Sequence, residues 1–321
     1  MVWSDPEVQK LAAAFVPAAD ASDRLQSPSC QDADAQLYQK FGGRRTLPSA
    51  RAGDGLGQGQ YVVTPGGELL ASAATADPRE VAQMLKNGLA RWEQLPRERR
   101  LLADAPLPGA AKQWRQCEAL YPADGLVLRL TVRDLSRPGD ATDAARPDVF
   151  TKRWNQDFVW FRKAEVRSLL PAILSKGESC DMPAPLAERL VRLHLLDHVR
   201  ALNYAWFKPE EVKLAKLRST VIAVGDGRVF VRFDGATRAA APAPESRGFE
   251  SKLAGRATWD PQTEKFTAFE LVAVGERWGA GNCNQRNDDI ARAPIGVAMV
   301  LATNKPEHRI CPAFISQYGW K

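Results

Sequence analysis

The chain has 321 residues, 45% of them hydrophobic and 26% charged, which is the composition of a globular protein. At roughly 100–200 residues per domain, this length predicts two domains. The longest apolar stretch, residues 294–302, is far shorter than the roughly 20 residues of a membrane-spanning helix, so we expect no span. The net charge of +6 comes from single arginines interleaved with acidic residues, a pattern that does not favour nucleic acid as a partner.

Helices and a hairpin are predicted in the first hundred residues. In chain order, the elements are a helix over 5–15, a short strand over 15–20, a helix over 36–41, a hairpin over 60–72 and a helix over 78–92. Asp5 and Asp77 each precede a proline, which is the pattern of an N-cap followed by proline at the first helical position. The hairpin turns at Pro65-Gly66-Gly67 between two apolar runs.

Several stretches of this segment resemble part of a thioredoxin fold. The stretch DPEVQKLAAAFVPAAD is similar to a helix and central strand of that family, and QLYQKFG to the short helix that follows. The stretch GQYVVTPGGELLASAATADPREVAQMLKNGLARW resembles its closing hairpin and terminal helix. The resemblance covers residues 3–92, and over most of its length the chain is similar to exported thioredoxin-like proteins of uncharacterised bacterial families. It implies a thioredoxin-like domain in an exported protein.

The chain departs from that family at the family's functional positions. Thioredoxins act through C-x-x-C at a helix N-terminus, where the pKa of the attacking thiol is lowered. The resemblance places that helix before Trp3, and Gly59-Gln60 occupies the position of the family's cis-proline. We therefore expect a divergent thioredoxin-like domain over residues 1–100 that is a scaffold or binding platform and not a dithiol oxidoreductase.

A second domain is predicted over residues 150–321, after a linker and connecting strand over 101–149. An amphipathic helix over 183–203 precedes several strand-like segments, which are 212–224, 228–233, 249–259, 265–276 and 295–302. Gly225-Asp226-Gly227 is a strong hairpin signal between the first two of them. We expect an antiparallel β-meander with one packed amphipathic helix, so that the whole chain is α+β.

The cysteines are scattered along the chain without C-x-x-C spacing, which excludes the common zinc ribbons and dithiol motifs. Cys283 and Cys311 lie in the C-terminal half, where they either pair or remain small buried side chains. The first residues lack the basic start and apolar core of a signal peptide. From the resemblance we expect a periplasmic or extracellular location, with the cytoplasm as the alternative.

A pair of histidines, His194 and His198, lies within the predicted amphipathic helix. Residues four apart share a helical face, and two imidazoles on one face can bind zinc or copper. The same face is apolar, so hydrogen-bonded core histidines are the other interpretation. For a metal site, Glu270 or His308 is the candidate third ligand and Asp197 a supporting group.

The most polar loop of the second domain spans residues 278–289. It lacks the spacing of a calcium-binding loop, so we expect a connection that borders the mouth of a ligand site. The candidate ligand-binding residues are Trp278, Asn282, Arg286, Asp288 and Asp289.

The sequence predicts a non-catalytic exported protein that binds a small-molecule or protein ligand on a dithiol-less thioredoxin-like scaffold. The alternative is a zinc- or copper-dependent protein or enzyme centred on His194 and His198. The expected cofactor is accordingly none or a single transition metal ion. The sequence has no G-x-S-x-G, and it assigns neither a catalytic residue nor an enzyme class.

Overall fold

The computed structural model describes residues 2–19, 25, 33–41, 59–75, 77–100, 119–137, 154–200, 206–243, 246–281, 284–305 and 308–320. It divides the chain into two compact units, Met1–Arg115 and Gln116–Lys321. Helices and antiparallel strands both occur in the described residues, which confirms the α+β class.

The first unit packs helices against a hairpin. Its helices are α1 (Pro6–Ala12), α2 (Ala33–Phe41), α3 (Pro78–Gln94) and α4 (Arg97–Arg100), and its hairpin joins β1 (Gln60–Val63) to β2 (Leu69–Ala73). Asp5 and Asp77 cap α1 and α3, because each side chain accepts hydrogen bonds from backbone N–H groups of the first turn. Val81 and Leu85 of α3 are buried in one cluster with Val62 of β1.

The short strand predicted over 15–20 is not formed in the described part of that range, residues 15–19. The chain is still turning there, because the backbone N–H groups of Ala14 and Phe15 donate to carbonyls at the end of α1. Val16 is 95% exposed, whereas a central strand would bury it. The predicted helices and the hairpin are confirmed as elements, and the thioredoxin-like fold stays a prediction.

The second unit is built on an antiparallel sheet of eight strands. In chain order they are β3 (Leu126–Asp134), β4 (Trp154–Phe161), β5 (Ser179–Asp181), β6 (Val212–Gly225), β7 (Arg228–Ala240), β8 (Gly248–Asp260), β9 (Lys265–Trp278) and β10 (Ala293–Leu301). Their order across the sheet is β4-β3-β10-β9-β8-β7-β6-β5. The meander predicted from residue 212 onward is therefore present as β6 to β9.

β3 lies inside this sheet, although the sequence analysis places it in the connection between domains. It pairs with β4 on one side and with β10, the last strand, on the other. A strand that is paired on both sides is part of the sheet. The second unit accordingly begins before β3, at Gln116, and not at residue 150.

The two faces of the sheet differ in burial. On β7, Val229, Val231 and Phe233 are buried and the residues between them are exposed, as the two-residue period of a strand requires. The helices of this unit are α5 (Lys163–Arg167) and α6 (Ala184–Leu193), and α6 packs on β6 and β7 with Leu186 and Leu190 buried. We call the side covered by α6 the inner face and the opposite side the outer face.

The β6–β7 turn has the geometry that its sequence predicts. Asp226 and Gly227 have φ angles of 51° and 70°. Positive φ at both central residues defines a type I′ turn, whose twist matches that of the strands it joins. The hairpin signal in Gly225-Asp226-Gly227 is therefore confirmed.

Alanine substitution at Gly227 tests this turn. We expect Gly227→Ala to lower the free energy of unfolding by roughly 1–2 kcal/mol, because a Cβ disfavours positive φ, although the space around it is open. Gly225→Ala is the matched control, since Gly225 has equally open space without a positive φ, and it should cost nothing. Urea unfolding measures both variants, and equal stabilities would contradict the assigned turn.

Candidate functional site

The helix that carries the histidine pair is shorter than predicted. α6 ends at Leu193, and His194 is its C-cap, with φ −133° and ψ −29°. Every residue from 193 to 199 is buried, and a helix with a single apolar face does not bury so long a run. The prediction of a helix to residue 203 is therefore wrong, and both histidines lie in an irregular segment after α6.

The ring of His194 is bound by a tyrosine. Its Nε2 lies 2.6 Å from the hydroxyl of Tyr318, and that hydroxyl also accepts the backbone N–H of Trp160 at 3.3 Å. A hydroxyl can both donate and accept, so the direction of the bond to Nε2 is set by which ring nitrogen of His194 carries the proton. Nδ1 faces Oδ2 of Asp157 at 3.7 Å, which is too long for a direct hydrogen bond.

His198 is fully buried beside this Tyr–His–Asp arrangement. Among the described residues, neither of its ring nitrogens has a hydrogen-bond partner, and the same is true of Nδ1 of His194 and Oδ2 of Asp157. The segment is held instead through its backbone, since the carbonyl of His198 accepts the side-chain amide of Asn155 at 2.8 Å. An unpaired buried polar group costs about 1–3 kcal/mol, so packing around the cluster keeps it in place.

Burial keeps both imidazoles uncharged. It lowers the pKa of His198 to about 4, against the attraction of Asp157 and Asp197. It also lowers the pKa of His194, where the neighbouring Asp157 again opposes the shift. At neutral pH the two rings are therefore neutral members of the core.

The predicted metal ligands are divided between the two faces of the sheet. Glu270 points to the outer face, where its carboxylate forms an exposed ion pair, and His308 lies against Phe158, with ring centroids 6.2 Å apart. Phe158 and Glu270 belong to one row of the outer face. Asp157 therefore points inward, toward His194. Within the described ranges, no group of three or more His, Cys, Asp or Glu side chains is arranged to hold a metal ion.

A buried arginine links two carboxylates on the inner side of the sheet. Arg286 is 0% exposed. It donates two hydrogen bonds to Asp197, at 2.9 and 3.0 Å, and two to Asp134, at 2.9 and 2.7 Å. Burial by itself lowers the pKa of Arg286, but the two carboxylates outweigh burial and raise it. This guanidinium joins the polar loop, the end of β3 and the histidine segment.

Asp289 is bound by arginines from several parts of the chain. Arg137 donates two hydrogen bonds to it, at 2.9 and 2.8 Å, and Arg277 contacts the same carboxylate. Nη1 of Arg286 lies 3.4 Å from it. Burial raises the pKa of this carboxyl, but Arg137 and Arg277 outweigh burial and hold it well below its ordinary range. Asp289 is thus ionised and bound at neutral pH.

The polar loop predicted to bind a ligand is therefore bound by the protein itself. Arg286 and Asp289 belong to the buried arginine–carboxylate contacts described above. The exposed Asp288 forms an ion pair with Arg200 at 2.5 Å. Trp278 is half-buried, and the guanidinium carbon of Arg292 lies over its ring, 4.0 Å from the ring centroid. Asn282 lies outside the described residues. The described charges of this loop hold the fold together.

The sequence did not point to Asp134 or Arg137, and Arg277 is not among the candidate ligand-binding residues it gave. The sequence does contain a signal for Arg277. Strand residues two apart share a face, so Arg277 is expected on the same face of β9 as Leu271 and Ala273, which are buried. Asp134 offers no comparable signal, since its partner Arg286 lies far along the chain.

A shallow cleft of about 390 Å³ lies between α5 and the β8–β9 turn, lined by Lys163, Ala164, Arg167, Trp259 and Glu264. Lys163 forms an ion pair with Glu264 at 2.8 Å. Arg167 donates to the backbone carbonyls that follow α5. Both cations are already bound by the protein, so this cleft is a weak candidate for a ligand site.

The outer face of the sheet carries an apolar area at its centre. We call it the outer patch and define it by Ala236, Ala254, Val272, Val274 and Ala298. Ala254, Val272 and Ala298 are consecutive cross-strand partners, Val274 follows Val272 on the same face of β9, and Lys252 lies between Val274 and Ala236. Val272 and Val274 are 44% and 50% exposed. The charged side chains around it are Arg232, Asp234, Arg238, Glu250, Lys252, Arg256, Glu270 and Glu276. An apolar centre with a charged rim is typical of a protein interface.

Comparison with models of protein families, with curated proteins and with solved structures gives no match. Any functional conclusion therefore depends on the geometry described above. None of the described helices has the length and apolar character that crossing a bilayer requires.

The buried imidazoles make the protein sensitive to acid. In the unfolded chain His198 binds a proton near its ordinary pKa of 6.5, whereas in the folded protein it does so only near 4. Stability is therefore fully present above pH 6.5 and falls between pH 6.5 and 4, by about 3 kcal/mol from this ring. Urea unfolding at a series of pH values measures the loss.

The variant His198→Leu should lose less stability than wild type over this pH range, because its unfolded state has one proton fewer to gain. Gln262→Leu is the control, since it replaces an exposed side chain that does not titrate, leaves both buried rings in place and should keep the wild-type dependence. An unchanged pH dependence in His198→Leu would show that His198 is not buried as a neutral ring.

Removing the guanidinium of Arg286 should destabilise the protein strongly. In Arg286→Met, Asp134 and Asp197 lose the cation they share, and breaking a buried ion pair costs about 3–5 kcal/mol. The matched control is Arg256→Met, which removes a cation whose side chain is 79% exposed and whose ion pair is screened by water. We expect the control to unfold close to wild type, and a similar loss in both variants would refute the structural role of Arg286.

Proposed function

We propose that this protein is a non-catalytic binding protein and that it engages a protein partner through the outer face of its second unit. The observation that carries the proposal is the outer patch, where Val272 and Val274 are half exposed inside a rim of charged residues. Isolated exposed apolar residues need no explanation, but a contiguous group on a flat face does.

The shape of the outer patch favours a protein over a small molecule. A small ligand is usually enclosed by a concave site, whereas these residues lie on neighbouring strands of a sheet face. Completing the burial of Val272 and Val274 would contribute about 2 kcal/mol. That is a modest part of a binding free energy, so the charged rim must supply selectivity.

A non-catalytic role is supported by where the polar groups of the interior lie. The rings of His194 and His198 are 0% exposed, as are the guanidiniums of Arg277 and Arg286. A group that acts on a substrate must come within hydrogen-bond reach of it. These side chains contact other parts of the chain instead, as expected for groups that stabilise a fold.

The first unit fits the role of a scaffold. It has a hairpin and helix in the order expected at the end of a thioredoxin-like domain, with Val62 and Leu85 buried together. We propose that it is a divergent thioredoxin-like platform without a dithiol. In the described residues of this unit, no cysteine occurs.

An exported location is supported by the state of Cys311. This residue is disulfide-bonded, and Cys180 has a free thiol. Stable disulfides form in oxidising compartments and are rare in the cytosol. We therefore propose a periplasmic or extracellular protein.

The metal-dependent alternative has less support. It needs a third ligand beside His194 and His198, and the two candidates, Glu270 and His308, lie on the outer side of the sheet. Zinc and copper ligands must all come within roughly 2.0–2.3 Å of one ion. The unpaired ring nitrogens and Asp157 Oδ2 are the features in its favour.

Site-specific photo-crosslinking tests the proposed function. Benzoylphenylalanine is placed at Val274, which is 50% exposed in the outer patch, and at Ile173, which is 63% exposed in a loop of the same unit. In cells that naturally make the protein, we expect a discrete adduct from position 274 and not from position 173. No adduct at 274, or the same adducts at both positions, would contradict binding through the outer face.

A further inference from the structure

We propose that the partner bound at the outer face presents an acidic protein surface, whose carboxylates contact a row of unpaired cations that crosses the sheet. This proposal depends on the proposed function, since it names the chemistry of the partner at the same surface. The cations are Arg133 on β3, Lys252 on β8 and Lys216 on β6. We call these three residues the basic row.

The register of the sheet aligns the basic row. Arg133 pairs with Gly296, which pairs with Val274, which in turn pairs with Lys252. From Lys252 the same line continues through Ala236 to Lys216. The members of this line are consecutive cross-strand partners, so they lie side by side on one face. The line contains cations and small or apolar residues and has no carboxylate.

The charges of the basic row are free, in contrast to those around it. Among the described residues, Arg133, Lys216 and Lys252 have neither an ion-pair nor a hydrogen-bond partner, and all three are exposed. Several cations of the other rows do form ion pairs, which are Arg256–Glu270, Arg232–Asp234, Arg218–Asp181 and Arg238–Glu250. Three of the cations of this face that form no ion pair therefore lie in one line.

The spacing of the row sets the pattern that a partner must match. Adjacent strands lie roughly 4.8 Å apart. Lys252 and Lys216 are separated by β7 and are therefore about 10 Å apart at the backbone, and Arg133 and Lys252 are about 14 Å apart across β10 and β9. Carboxylates at such intervals are typical of side chains on a folded protein surface. Val274 and Ala236 lie between the cations and suit apolar contacts.

A nucleic acid fits this face less well. The rows on either side of the basic row carry Asp234, Glu250 and Glu276, which would repel closely spaced phosphates. Single-stranded nucleic acids also need exposed aromatic rings for stacking, and the described part of this row offers only Trp154, at its margin. A second copy of the chain would bring one positive face against another. Discrete carboxylates on an apolar surface avoid these conflicts.

Binding of soluble poly-L-glutamate to the full chain at low salt tests the proposal. The triple variant Arg133→Gln, Lys216→Gln, Lys252→Gln is compared with a control of equal charge, Lys10→Gln, Lys176→Gln, Lys305→Gln, whose lysines are exposed and lie off the sheet. Because it loses three exposed ionic contacts, the row variant should bind about tenfold more weakly, and the control within about twofold of wild type. Thermal unfolding by circular dichroism verifies that both variants are folded.

Equal weakening in both triple variants would overturn the proposal, because poly-L-glutamate would then sense only net charge. Tighter binding of oligothymidylate than of poly-L-glutamate, lost in the row variant alone, would also overturn it in favour of nucleic acid. A dimer in sedimentation equilibrium that the row variant abolishes would overturn it in favour of a second copy. If any of these occurs while the adduct at Val274 persists, the partner's chemistry is wrong and the binding function stands; loss of the adduct removes the binding function itself.

Discussion

The contacts of Arg286 are the interaction on which the inner side of the second unit depends. This guanidinium neutralises carboxylates from two distant places, the end of β3 and the segment after α6. Without it, Asp134 would be an uncompensated charge under the sheet, which folded proteins avoid, and Asp197 would keep only Arg277, whose Nε lies 3.9 Å away. Asp197 lies between His194 and His198 in the chain, so the same contacts also determine where the histidine segment is held.

The alternation of side chains along each strand then divides the chemistry of this unit into two kinds. Inward residues meet other parts of the chain: Arg277 reaches Asp289, and Asp157 faces His194. Outward residues of the central strands β7 to β9 are mostly exposed, and there Val272 and Val274 remain half exposed. The groups that looked most chemical in the sequence therefore lie in the interior, whereas the face that we propose as a binding surface is made of residues that carry no motif. The predictions about stability therefore concern interior residues, and the proposal about recognition concerns residues of the outer face.

The parts of the fold with local signals could be predicted from the sequence. Asp5 and Asp77 cap helices and Gly227 supports a type I′ turn, since each depends on a few neighbouring residues. The predicted end of α6 was wrong because residues 193–199 are all buried, and this burial, not the helical periodicity of the sequence, determines the conformation of the segment. In the candidate site, likewise, the contacts that depend on distant residues could not be predicted. The proximity of His194 to Asp157 and of Arg286 to Asp134 comes from pairing between distant strands, which no local pattern encodes.

The hydroxyl of Tyr318 also protects the margin of the sheet. It takes the N–H of Trp160, which points away from β3 because β4 is the outermost strand. The carbonyl of Trp160 accepts Nη2 of Arg189 at 3.2 Å, and the N–H of Gln156 is taken by its neighbour Asn155. Unsatisfied groups on an outermost strand are templates for strand exchange and aggregation between molecules. By occupying these groups, the side chains of Tyr318, Arg189 and Asn155 disfavour self-association of the protein along this strand.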